Sequence, residues 1–270
     1  MFQKLFHLKE SGTDVKTEVI GGITTFMAMA YILAVNPSIL SQSGMDSQAV
    51  LIATALAAFV GTLCMAFMAN YPFALAPGLG LNAYFAYTVC GTMGYSWELA
   101  LLAVFAEGLV FLALSLTNVR EAIFNAIPMQ LKKGVSVGIG LFIAFLGLQN
   151  AHIVVNSDST LVTMVKFTKD FHTTGISALL ALIGLVIISV LYIKNVKGSI
   201  LLGILITWAL GILAQFTGLY AGDSVLPVWS DFNLGAISKT FGQCFSSAAF
   251  ANFRILDFIV IMFSFLFVDI

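Results

Sequence analysis

The chain is predicted to be an all-α integral membrane protein. Charged residues make up only 9% of its 270 residues, and hydrophobic ones 60%. A soluble domain carries about 25% charged residues, so a water-facing surface cannot be built from this composition. The apolar residues also gather in unbroken runs of roughly twenty, the length of a membrane-spanning helix, rather than alternating as lipid-facing strands do. In lipid every backbone N–H and C=O must find a partner inside the protein, and long runs satisfy this as helices.

The runs lie near residues 19–40, 49–69, 73–95, 98–117, 134–150, 173–193, 198–217 and 255–270. Basic residues test the count. Lys4, Lys9 and Lys16 precede the first run, Arg120, Lys132 and Lys133 follow the fourth, and Lys194 and Lys197 follow the sixth. If every run crosses, all of these fall on the cytoplasmic side, with the N-terminus, as the positive-inside rule asks. If the third run failed to cross, the Arg120–Lys133 cluster would move outside. Residues 1–18 carry Lys4, Lys9, Glu10, Asp14, Lys16 and Glu18 and do not read as a signal peptide.

Within the first run, Thr24 and Thr25 are hydroxyls of the kind that bond the carbonyl four residues back. Asn36-Pro37 most simply ends that helix. The third run contains Ala76-Pro77-Gly78-Leu79-Gly80-Leu81-Asn82. Pro77 removes a donor and blocks the preceding helical turn, so an extended piece up to Pro77 and a helix restarting after Gly80 are expected. Such a half-helix would begin near the bilayer midplane with its free N–H groups aimed at a ligand, and Asn82 in its first turn offers both a donor and an acceptor. A Pro/Gly kink without a ligand is the plainer alternative.

In the fourth run Glu107 stands between Ala106 and Gly108. A charge there costs roughly 3 kcal/mol or more at the bilayer centre, so Glu107 should face the protein interior, either as a functional carboxyl or as a neutral bridge between helices. Residues 119–133 and 236–253 mix charged and apolar side chains and fit amphipathic helices on the membrane surface, with loops as the alternative. Gly134, Gly138 and Gly140 give the fifth run a small face for close packing. The eighth run, ending at Ile270, is about 24 Å long as a helix, short of a hydrocarbon core of about 30 Å, and is expected to be truncated. It carries Asp257 near its start and Asp269 near its end.

The remaining titratable residues are dispersed. Cys64, Cys90 and Cys244 show no metal or disulfide spacing. His7, His152 and His172 lie outside the runs, and no nucleophile–base pair or phosphate loop is present. No catalytic set, cofactor or metal is expected, and a net charge of −1 gives no reason to expect nucleic acid as a partner.

Four motifs in order resemble the AzgA-like purine permeases, a branch of the xanthine/uracil permease superfamily. They are Ile23-Thr24-Thr25-Phe26 through Val35-Asn36-Pro37, Ala76-Pro77-Gly78-Leu79-Gly80-Leu81-Asn82-Ala83-Tyr84-Phe85, Ser136-Val137-Gly138-Ile139-Gly140 through Gln149-Asn150-Ala151, and Phe265-Leu266-Phe267-Val268-Asp269. The resemblance implies fourteen spans in two inverted repeats of seven, of which this chain holds the first, with a broken third segment and a truncated eighth. Residues 19–117 would be core segments one to four. Residues 118–217 would hold an interfacial helix and gate segments five to seven, 218–253 an external loop with a second interfacial helix, and 254–270 the start of core segment eight.

The implied activity is import of hypoxanthine, guanine or adenine with a coupled proton, across the plasma membrane. By motif match Asn82 takes the substrate-site asparagine position, with Gly80, Thr25 and Phe85 as its neighbours. Glu107 and Asp269 are the candidates for proton coupling. The family's substrate-contacting aspartate falls beyond Ile270. The expected partners are the purine, the proton, membrane lipid and a second copy of the chain in a homodimer. Two other readings are a non-transporting membrane fragment and a membrane-embedded enzyme that uses Glu107 and Asp269 as an acid/base pair.

Overall fold

The computed structural model describes residues 6, 8, 12–117, 119–168, 170–226, 233–250 and 254–269, and their side chains except those of residues 120, 124, 268 and 269. It is mostly helical. Among the described residues, six helices are long and apolar enough to cross a membrane: Val15–Ser43, Ser47–Ala69, Trp97–Leu116, Met129–Asn150, Phe171–Ile193 and Ser199–Phe216. The surface is apolar in keeping with this, as at Leu116, 82% exposed, and Phe216, 75% exposed.

The first span is two helices, α1 (Val15–Met29) and α2 (Ile32–Leu40), separated by a turn at Ala30 and Tyr31. Asp14 caps α1 by accepting from the Thr17 N–H, and the Thr17 hydroxyl and N–H together hold its carboxyl below the usual range. Pro37 lies inside α2, so Asn36-Pro37 does not end the helix as expected. The missing proline N–H and the ring's clash with the carbonyl of Leu33 do not end α2, which runs on to Leu40.

After a 3₁₀ turn at Ser41–Ser43, α3 (Ser47–Cys64) runs into a π-helical turn at Met65–Ala69. Residues 70–78 have no helix. The chain becomes helical again at α4 (Leu79–Ala83) and continues as π-helix through Tyr84–Thr92. The restart comes one residue before Gly80, because Gly78, in extended conformation, takes the N-cap. Then follow α5 (Trp97–Leu116), α6 (Val119–Ala126) and α7 (Met129–Asn150). The stretch 119–133 is therefore divided: Pro128 separates a short α6 from α7, and Lys132 and Lys133 belong to the spanning helix.

The loop after α7 holds an element the all-helical expectation lacked. Strands β1 (Val154–Ser157) and β2 (Leu161–Met164) pair antiparallel with Val154 opposite Met164. Helices α8 (Ile176–Ile193) and α9 (Ser199–Phe216) follow. Residues 236–253 do not make one amphipathic helix. They fold as 3₁₀ turns at Leu234–Lys239 and Gln243–Phe245 and a short α10 (Ser247–Phe250), with residues 251–253 outside the described set. Gly242, at φ 75°, interrupts the helical path. The last helix is α11 (Ile255–Asp269).

The described chain divides into two compact units: residues 1–31, 70–74 and 141–231, and residues 32–69, 75–140 and 232–270. In the first, α8 and α9 pack at very short range, since a Cβ on Gly184 would meet Thr207 and one on Gly203 would meet Ile188. Small residues that admit such approach are a main source of helix pairing in lipid, where apolar burial contributes little.

In the second unit a core forms from Met45, Val50, Phe85, Val89, Ala100, Ala103, Ile261 and Phe265. The path of the third segment is legible there. The extended backbone at Leu75 lies over α3: its N–H donates to Thr62 Oγ1 at 3.0 Å, beside Gly61. Extended backbone in an apolar segment needs such a partner. At its far end the segment rejoins the start of α3, since Val89 packs with Met45 and Val50 and Trp97 lies against Gly44. Helix α3 leaves that end and the third segment returns to it.

Candidate functional site

The broken third segment places Asn82 in the first turn of a helix whose opening N–H groups have no helical acceptor. The Asn82 backbone N–H is the one that closes the first turn, onto the Gly78 carbonyl at 3.1 Å. Its side chain is half-buried, and Nδ2 donates to Oδ1 of Asn36. Asn36 in turn donates from Nδ2 to Thr54 Oγ1 at 2.7 Å. Asn36 is 2% exposed and Thr54 3%, so a polar line of three residues from α2, α3 and α4 crosses the interior of the unit.

Asn36 and Thr54 were not among the predicted site residues. Asn36 read as a helix stop because proline follows it. Both are nonetheless polar residues within apolar runs, which is the signal that such groups pair inside a membrane protein.

Phe85, three residues past Asn82, is 4% exposed and packs in the core. Its ring centroid is 6.5 Å from that of Phe265 on α11, and Tyr84 meets the same Phe265 edge-on at 5.3 Å. The eighth segment is thus seated against the half-helix that carries Asn82. Gly80 leaves open space where a Cβ would stand.

Glu107, on α5 of the same unit, is 4% exposed, facing the protein interior as the cost of a charge in lipid requires. Thr25 belongs to the other unit, and its hydroxyl donates to the Gly21 carbonyl at 2.9 Å, as Thr24 does to Ile20 at 2.8 Å. The side chain of Asp269 lies outside the described residues, as does His7. Three predicted residues, Gly80, Asn82 and Phe85, therefore share one helical segment, and Glu107 is buried in the same unit.

On the face where α3 begins, a polar contact joins separate segments: Lys239 donates to Asp46 at 2.7 Å. The Lys239 bond, with the Ala49 N–H, holds the Asp46 carboxyl below its ordinary value.

Comparison with known proteins adds the family. Residues 16–263 match the Permease family of xanthine/uracil permeases. The chain is 46% identical over 216 residues to the guanine/hypoxanthine permease PbuO of Bacillus subtilis, covering 79% of this chain and 48% of that one. It is 41% identical over 251 residues to the adenine permease AdeP of Escherichia coli, covering 89% and 55%. It is 39% identical over 247 residues to the guanine/hypoxanthine permease PbuG of Bacillus subtilis, covering 88% and 53%. The chain spans about half the length of these curated relatives.

Proposed function

The chain belongs to the xanthine/uracil permease family, an integral membrane transporter family rather than an enzyme family, and from that premise we propose that it forms the first repeat of a carrier importing purine nucleobases with a coupled proton. The observation that carries this is the helix restart at Leu79, with Asn82 in its first turn held by the buried Asn36–Thr54 pair. A half-helix N-terminus inside the apolar layer offers free N–H groups and the positive end of a helix dipole to a polar ring. The base would bind between this segment and its inverted counterpart, with its carbonyl oxygen or ring nitrogens accepting from the N–H groups near Gly80 and with Asn82 presenting a carboxamide. Relatives named guanine/hypoxanthine and adenine permeases support a purine as the ligand class.

Phe85 would hold the segment against the eighth. The proton would reside on a buried carboxyl, with Glu107 and Asp269 as the candidates. Segments one to four and eight would act as the core and five to seven as the gate. The whole would sit in the plasma membrane with the N-terminus cytoplasmic, as a homodimer. Uptake of radiolabelled hypoxanthine, guanine and adenine by cells expressing the full-length coding sequence tests the proposal. Uptake that survives Asn82→Ala at the wild-type rate removes the assigned site.

A further inference from the structure

We infer that Asn36 and Thr54 are specificity-determining positioning residues: they fix how the Asn82 carboxamide faces the base. The inference rests on the purine-carrier reading and deepens it. A carboxamide has one acceptor oxygen and two N–H donors. One donor of Asn82 is committed to Asn36 Oδ1, which turns Asn36 Nδ2 toward Thr54 Oγ1. That leaves the oxygen of Asn82 and its second N–H for a ligand, in the order the tether holds. Burial of Asn36 at 2% and Thr54 at 3% keeps water from replacing either partner.

The order matters because the two purine classes are mirror images in hydrogen-bonding sense. A 6-oxopurine carries a donor at N1 beside an acceptor at C6. A 6-aminopurine carries an acceptor at N1 beside a donor at C6. A tethered carboxamide matches one sense and leaves unpaired polar groups against the other, which is the strongest form of discrimination a site can build. A carboxamide released from its tether turns over and accepts either.

The experiment uses the full-length protein in cells lacking purine uptake, with surface level measured by immunoblot and uptake of hypoxanthine and adenine measured over a range of concentrations. Thr54→Val keeps the shape and removes the acceptor for Asn36. We expect KM for the preferred purine to rise by about three- to tenfold, the effect of one net hydrogen bond. Maximal rate per molecule should hold and the hypoxanthine-to-adenine ratio of Vmax/KM should move toward one. Thr54→Ser should restore both values. Where Thr54→Val does not reach the membrane, Thr54→Cys, a weak acceptor, carries the same comparison with a smaller change. A valine or cysteine variant at wild-type surface level with an unchanged KM and ratio overturns the positioning role. A wild-type protein that takes up neither purine overturns the carrier reading before any variant is compared.

Discussion

Lys239 and Asp46 lie 193 residues apart in sequence and meet at 2.7 Å. Asp46 performs two tasks at that point, because the same carboxylate caps α3 by accepting from the Ala49 N–H at 3.0 Å. The pair ties the turns before the eighth segment to the start of the second.

The two tasks separate by substitution. Asp46→Asn retains a capping oxygen and loses the charge, so its melting temperature in detergent should match that of Lys239→Ala. Asp46→Ala loses cap and pair together and should melt below both. The carboxyl is held below its ordinary value of 3.8, so its stabilising contribution is present above that pH and is lost as pH falls through the lowered value. Melting curves of the wild type should therefore approach those of Asp46→Asn in the most acidic buffers. Identical wild-type and Asp46→Ala melting at neutral pH would remove the assigned role.

Between α8 and α9 the spacing leaves no room for a methyl group. Gly203→Ala would drive its Cβ into Ile188, a β-branched side chain with little rotamer freedom in a helix. Overpacking of this kind costs about 1–3 kcal/mol. Gly184→Ala, opposite Thr207, should behave alike, whereas Gly140→Ala, with open space around it, should leave thermal stability unchanged. Equal melting temperatures for all three variants would contradict the close approach.

Phe265 gathers the rings of Tyr84 and Phe85. Phe→Ala in a water-soluble core costs about 3–5 kcal/mol, and in lipid only the packing part of that remains. We expect Phe265→Ala to fall at or below the lower end of that range in unfolding by sodium dodecyl sulfate, and to weaken purine uptake, since the eighth segment seats the half-helix. Full uptake by a stable Phe265→Ala protein would separate the two segments functionally.

Glu107→Gln preserves shape and removes the titrating group. If Glu107 carries the coupled proton, uptake by the variant should lose its dependence on external pH while hypoxanthine binding persists. A pH profile that follows the wild type would move the coupling role to a carboxyl elsewhere, with Asp269→Asn as the next measurement.

Much of the architecture was legible in the chain because lipid leaves few alternatives. Twenty apolar residues in a row must be helix, and Pro77 followed by Gly78 must interrupt one. The basic residues placed the third run as a crossing; in the structure its far end packs beside the start of α3, through Val89 and Trp97. Errors gathered where local patterns compete. Pro37 reads as a stop, yet α2 holds it and runs on to Leu40. Residues 236–253 have the composition of an amphipathic helix, but Gly242 and the turns around it favour 3₁₀ geometry. The hairpin at 154–164 has too short a pattern to stand out between two spanning helices.

By itself the sequence determined that the solvent is lipid, where the helices run, which segment is broken and that Asn82 opens its second half. These follow from composition and from the covalent limits of proline and glycine, which act within a few residues. Only the tertiary structure decided that Asn36 and Thr54 complete the polar line with Asn82, and that Phe265 rests on Tyr84 and Phe85. Those partners come from different helices, and a hydrogen bond between residues 36 and 82 leaves no trace in either residue's own neighbourhood along the chain.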